Sequence, residues 1–168
     1  VTIHEGNMET IEQFESVLKE MHYLIHIATT WGDAPTSQKI NLENTKTMFL
    51  LTDPTKLERV VYFSTASILG LNNQLTEAAV KYGPAYIRSK YLACEMVKQL
   101  PFHDRIITLY PTLVFGGNKR FPYSHISEGL IPNLKFFKWL RFIYVDGAFH
   151  FLHAKDIAKV AVYLLFNP

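Results

Sequence analysis

Short apolar runs alternate along the chain with stretches whose apolar positions recur every three or four residues. Residues 1–4 are β-branched and apolar and predict a strand, as do residues 23–27 and the continuous apolar run 60–63. Residues 105–109 and 149–153 predict two more. Helical spacing appears over 8–20 (Ile11, Phe14, Val17, Leu18), over 37–51 (Ile40, Thr47, Met48, Leu51), and over 85–100 and 155–166. The punctuation agrees: Asp53-Pro54 stops one helix, and Pro84 and Pro101 bracket another. Residues 70–84 and 111–119 read as loops, and 122–146 as a mixed, aromatic-rich stretch. Strands alternating with helices, with strands apolar on both faces, predict an α/β fold built on a parallel sheet covered on both sides. Ligands of such sheets bind beyond the carboxyl ends of the strands. The residues to inspect are therefore Gly6-Asn7-Met8, Ala28-Thr29-Thr30, Ser64-Thr65-Ala66 and Tyr110-Pro111-Thr112.

Composition narrows the picture. The 168 residues are 48% hydrophobic and 19% charged, enough apolar surface for a core and the length of one domain. The net charge of +2 comes from scattered Lys and Arg, so no basic stripe points to nucleic acid, and no apolar run approaches the roughly 18 residues a membrane span requires. Cys94 is the single cysteine, which excludes an intramolecular disulfide and a cysteine zinc site and leads to the expectation of a reducing, cytoplasmic setting. The chain enters a strand-like run at Val1 and stops directly after a helix-like one, so the expectation is a piece of something longer.

The candidate chemistry is a pair. Tyr86 and Lys90 lie four apart on a predicted helix, one turn from each other on one face. A tyrosine with a pKa near 10 is a poor base at neutral pH, and a neighbouring ammonium favours its phenolate. Alone the pair is weak, since two residues on a helix surface give the same pattern. It gains from its surroundings: Ser64-Thr65 closes a buried strand some twenty residues earlier, and Tyr110-Pro111-Thr112 closes the next strand.

Together these segments carry a resemblance. Residues 60–70 (Val-Val-Tyr-Phe-Ser-Thr-Ala-Ser-Ile-Leu-Gly), 82–90 (Tyr-Gly-Pro-Ala-Tyr-Ile-Arg-Ser-Lys) and 109–116 (Leu-Tyr-Pro-Thr-Leu-Val-Phe-Gly) resemble, in order, the active-site strand, the Tyr-x-x-x-Lys helix and the Arg-Pro-x-x-x-Tyr-Gly segment of extended short-chain dehydrogenases/reductases, the NAD-dependent epimerase/dehydratase group. Residues 24–28, Asn41-x-x-x-Thr45 and 151–158 also fall in family order. The resemblance implies one partial Rossmann-like domain over residues 1–168, a doubly wound parallel sheet lacking the first strand and glycine-rich turn, with a small substrate region at 117–147. It implies NAD or NADP as cofactor, Tyr86 as general acid/base, Thr65 orienting the substrate oxygen, and Lys90 holding the nicotinamide ribose and lowering the tyrosine pKa. Asn7 and Met8 would border the adenine; Ile27, Ala28, Thr29, Asn41, Phe63 and Pro111 would lie along the cofactor. The substrate would be a small molecule, a sugar nucleotide or a hydroxy/keto metabolite, and homodimerisation would use helices 37–51 and 85–100.

Three departures stand against a plain transfer. No Gly-x-x-Gly-x-x-Gly run occurs, Tyr110 stands where the family often has Arg or Asn, and the C-terminal region that usually supplies most of the substrate pocket is abbreviated; Ala66-Ser67 after Thr65, without the acidic neighbours of sugar dehydratases, argues against dehydration. The rival reading is a non-catalytic homologue used as a binding or structural module. Other candidates are weaker. His150 and His153 point to opposite faces of a strand and make no metal pair, and Cys94 in mid-helix reads as an inert thiol. Asp156 suits the first turn of a helix. Lys135, Lys138 and Arg141 among Phe136, Phe137 and Trp139 read either as a phosphate clamp or as a solvated basic face.

Overall fold

The computed structural model describes residues 1–118, 120–124, 127–128 and 150–167. The predicted substrate region, with Lys135, Lys138, Arg141 and their aromatic neighbours, lies almost wholly outside them. A parallel sheet of β1 (Tyr23–His26), β2 (Arg59–Phe63) and β3 (Ile106–Leu109) forms the centre, in the order β1-β2-β3. Tyr23 is in register with Arg59, and Val60 with Ile106. A second parallel pair joins β4 (Leu113–Phe115) to β5 (Phe151–His153).

Strand β2 shows why its residues must be apolar throughout. Val60, Val61 and Tyr62 are completely buried. Val60 and Tyr62 face a large core with Met48, Phe49, Ala93, Cys94, Val97 and Leu100, whereas Val61 faces Ala161 and Leu165 on the opposite side. Side chains alternate across a strand, so a strand covered on both faces has no polar positions to spare. Helix α5 (Ala85–Val97) lies in the first layer. The second holds α6 (Ala154–Phe166).

Towards the amino end, a 3-10 helix (Met8–Phe14) runs into the single turn α1 (Glu15–Leu18). Asn7 caps it, its Oδ1 accepting from the backbone N–H of Glu9 and Thr10. The helix predicted over 37–51 is a composite: α2 (Ala34–Gln38), a π-helical segment (Lys39–Asn44) and α3 (Thr45–Leu50) in direct succession. It begins earlier than predicted because Asp33 caps it and Pro35 occupies its first turn.

Three expectations are corrected. Residues 1–6 form no strand, and Val1 and Ile3 are exposed. A β-branched run becomes a strand only when a neighbour supplies its hydrogen bonds and covers a face, and no strand pairs with this run among the described residues. The loop predicted over 70–84 contains α4 (Glu77–Tyr82), capped by the Thr76 hydroxyl and ended before Gly83-Pro84. Six residues are too few to display helical periodicity. The loop predicted over 111–119 contains β4, which the sequence disguises because its partner β5 follows 36 residues later. Just beyond β4 the backbone of Gly116 adopts φ +155°, and a Cβ there would sit 2.7 Å from that of Ala154 at the start of α6. Glycine thus allows this loop to pack on α6.

Polar groups in the main core are matched with one exception. His26 is buried, stacked on Tyr62 with ring centroids 5.6 Å apart, and its Nε2 lies 3.1 Å from Thr45 Oγ1. Thr45 donates its own proton to the Ile40 carbonyl, so His26 donates to Thr45. Burial, helped by the charge of Lys90, pushes His26 down to about 3, so the ring is neutral. The Tyr62 hydroxyl is buried with no partner among the described residues. A buried unpaired hydroxyl costs about 1–3 kcal/mol, whereas an apolar replacement of the same shape costs little. Tyr62→Phe is therefore expected to raise stability by about 1 kcal/mol, read as a higher urea midpoint at unchanged slope; a lower midpoint would show that the hydroxyl is satisfied.

Candidate active site

The carboxyl ends of β1, β2 and β3 open into one cleft of about 1080 Å³. Its floor and walls include Ile27 and Thr29 after β1, Phe63, Ser64 and Thr65 at the end of β2, and Pro111 after β3; Tyr86 and Lys90 of α5 also line it. Two backbone bonds set the width of its base. Ser64 N donates to Leu109 O at 2.8 Å and Ala66 N to Pro111 O at 2.9 Å, tying the segments after β2 and β3 together.

Helix α5 delivers the Tyr–Lys pair. Pro84 caps it in extended conformation, which puts Tyr86 in the first turn and Lys90 one turn deeper. Lys90 is 2% exposed. Its Nζ donates to Phe63 O at 2.9 Å and stands 5.2 Å from the Tyr62 ring centroid. Desolvation pulls its pKa down to about 8. Tyr86 behaves otherwise than the spacing suggested. Burial raises its hydroxyl above the ordinary tyrosine value, the neighbouring Thr65 hydroxyl pulling the other way. Thr65 is buried and caps a short turn, its Oγ1 accepting from Ser67 N at 3.3 Å.

Behind the pair, Cys94 Sγ sits 3.1 Å from Ser64 Oγ and burial pushes the thiol up, so this cysteine is no nucleophile at neutral pH. His150 lines the cleft, whereas His153 caps α6, its Nδ1 accepting from Lys155 N at 3.1 Å. Asp156 occupies the first turn of the same helix.

Of the residues singled out from sequence, Ile27, Thr29, Phe63, Thr65, Tyr86, Lys90 and Pro111 line the cleft. Asn7, Met8, Ala28 and Asn41 do not. Asn7 is occupied as a cap, and the Met8 carbonyl accepts from Asn44 Nδ2. Asn41 is 1% exposed, and its amide makes four bonds. Oδ1 accepts from Thr29 Oγ1 and Thr30 N, both at 2.9 Å, while Nδ2 donates to Thr30 O at 2.9 Å and to Ser89 Oγ at 3.0 Å. Ser89 in turn donates to the Tyr86 carbonyl at 2.8 Å. Asn41 thus clamps the segment after β1 to the first turn of α5. Trp31 also lines the cleft, its ring 5.1 Å from that of Tyr86.

The NAD dependent epimerase/dehydratase family matches residues 1–168. The chain belongs to this family. No curated protein matches it by sequence. Solved structures do match by fold. The Bordetella bronchiseptica enzyme WbmG in complex with NAD is 16% identical with a TM-score of 0.69, covering 99% of this chain and 54% of that one. The UDP-N-acetylglucosamine 4-epimerase from Methanobrevibacter ruminantium M1, in complex with UDP-N-acetylmuramic acid, is 18% identical with a TM-score of 0.68, covering 98% and 57%. The dTDP-glucose 4,6-dehydratase DesIV from Streptomyces venezuelae, with NAD bound, is 20% identical with a TM-score of 0.67, covering 95% and 53%. The chain spans about half the length of the structures it matches. The fold is thus the α/β, Rossmann-like one expected, and among the described residues no helix is long and apolar enough to cross a membrane.

The clamp yields a direct prediction. Asn41→Ala strands four groups of this epimerase/dehydratase-family fold at once, and is expected to cost about 2–3 kcal/mol in urea unfolding. A loss below about 0.5 kcal/mol, the ordinary surface value, would show that water replaces the amide.

Proposed function

We propose that this chain carries the catalytic half of an NAD(P)-dependent enzyme that acts at a carbinol or keto carbon of a sugar nucleotide, with Tyr86 as the proton-transferring residue. The observation that supports it is the convergence of Thr65, Tyr86 and Lys90 on one cleft at the carboxyl ends of parallel strands. Family membership and the NAD and nucleotide-sugar complexes of the structural relatives favour the same reading.

The residues present suit the nicotinamide end of the cofactor. Ile27, Phe63 and Pro111 offer apolar walls, and Lys90 offers an ammonium whose one hydrogen bond among the described residues, to Phe63 O, leaves protons for ribose hydroxyls. Bound there, the nicotinamide ring would supply hydride transfer. The protein's own part is the proton. With its pKa raised by burial, Tyr86 rests as the neutral phenol and is set to give a proton to the oxygen of a carbonyl as it is reduced. In the reverse direction it must become phenolate, which a positive charge entering the cleft would favour. Thr65, within reach of Tyr86, would hold the same oxygen. Lys90, lowered to about 8, is still mainly an ammonium at neutral pH and would hold the ribose.

The test is a titration of NADH and NADPH into the 168-residue chain, followed by nicotinamide fluorescence, with Tyr86→Phe and Lys90→Met for comparison. Saturable binding is expected, weakened about tenfold in Lys90→Met, the loss of one charge-assisted hydrogen bond, and nearly unchanged in Tyr86→Phe. On a nucleotide-sugar panel read at the nicotinamide absorbance, Tyr86→Phe is expected to lose at least about a hundredfold in rate. No binding by the folded chain would overturn the reading.

A further inference from the structure

We propose that Trp31 is a specificity-determining residue of this cleft: an aromatic wall beside Tyr86 that takes the apolar face of the pyranose ring whose hydroxyl reaches Tyr86. The proposal rests on the reading above and adds to it the surface that recognises the sugar.

Three observations carry it. Trp31 is 63% exposed, an unusual state for the largest apolar side chain, and that exposure falls at the cleft. Its ring lies 5.1 Å from the Tyr86 ring at an interplanar angle of 34°, so any ring whose carbinol meets the Tyr86 hydroxyl lies beside the indole. The backbone on both sides of it is pinned. Thr29 and Thr30 are held by Asn41, Gly32 N donates to Thr30 Oγ1 at 3.3 Å, and Gly32 O accepts from Ser37 Oγ at 2.9 Å. A backbone pinned in this way sets where the indole stands before any ligand arrives.

The chemistry of the occupant follows. A pyranose presents a face of C–H groups, and an indole offers a flat, electron-rich surface to them. The cleft lining also includes the apolar side chains of Leu113 and Ile157. The base of a sugar nucleotide is not a rival for this spot, because a ribose and a diphosphate separate it from the carbon that reacts at Tyr86.

Trp31 and Trp139 are the chain's two tryptophans, so in Trp139→Phe the indole emission comes from Trp31 alone. This variant would be titrated with UDP-glucose and dTDP-glucose, and with UDP and dTDP as sugar-free controls. The expected result is a saturable change in Trp31 emission with the sugar nucleotides and none with the diphosphates. By calorimetry Trp31→Ala should weaken sugar-nucleotide binding about tenfold, with Trp31→Phe within about threefold of wild type. Equal responses to UDP and UDP-glucose would place the base at Trp31 and overturn the proposal, as would no response to any of the four. NADH binding to the wild-type chain separates the two readings: its failure sinks the cofactor reading, whereas intact NADH binding with an unresponsive Trp31 sinks only the wall.

Discussion

The site is organised around one buried charge. Lys90 is a long cationic side chain in an almost fully desolvated position, and it survives there because the last carbonyl of β2 and the face of Tyr62 receive it. That contact fixes α5 against β2 at one depth. Everything else in the cleft follows from this depth: Tyr86 one turn above, Thr65 two residues beyond the accepting carbonyl, and Cys94 one turn below against Ser64. The same charge weighs on the surrounding core. It joins desolvation in keeping His26 neutral, and the aromatic group of His26, Tyr62 and Phe49 packs beneath it.

Around this centre, the second organising feature is a clamp rather than a charge. Asn41 sits in a π-helical segment, where the wider turn carries its amide to the backbone after β1 and to Ser89 at once. The clamp links three elements distant in sequence and holds Trp31 over Tyr86. A buried amide with all four positions used is costly to disturb and rigid in return, which suits a residue that shapes a site without entering it.

How much of this was legible beforehand depended on range. Strand β2 was readable because burial on both faces demands an unbroken apolar run, and β3 because it is largely apolar and β-branched. The Tyr86–Lys90 pair was readable because its spacing is local, and the family resemblance rested on segments of this local kind. What depends on distant partners was not readable. Residues 1–6 have the composition of a strand, and no strand pairs with them among the described residues. Strand β4 is three residues long and meaningful only beside β5. Asn41 was expected along the cofactor, because nothing near it in sequence reveals that Thr30 and Ser89 take its amide. The pKa of Tyr86 was expected to fall, since the spacing of Lys90 shows proximity but not that its ammonium turns to Phe63. Short-range signals thus marked residues that line one cleft, and long-range contacts decided which groups are spent on structure.

The burial of Lys90 can be measured directly, without ligand or substrate. With lysine carbon-13 labelled at Cε, each ammonium titrates separately by NMR, and Lys90→Arg identifies the signal. The account predicts one lysine that titrates near 8, well below the ordinary value of about 10.4, and that vanishes in the variant. A Lys90 signal titrating with the exposed lysines would contradict it, since the ammonium would then be in water, and the contact that sets α5 on β2 would not exist.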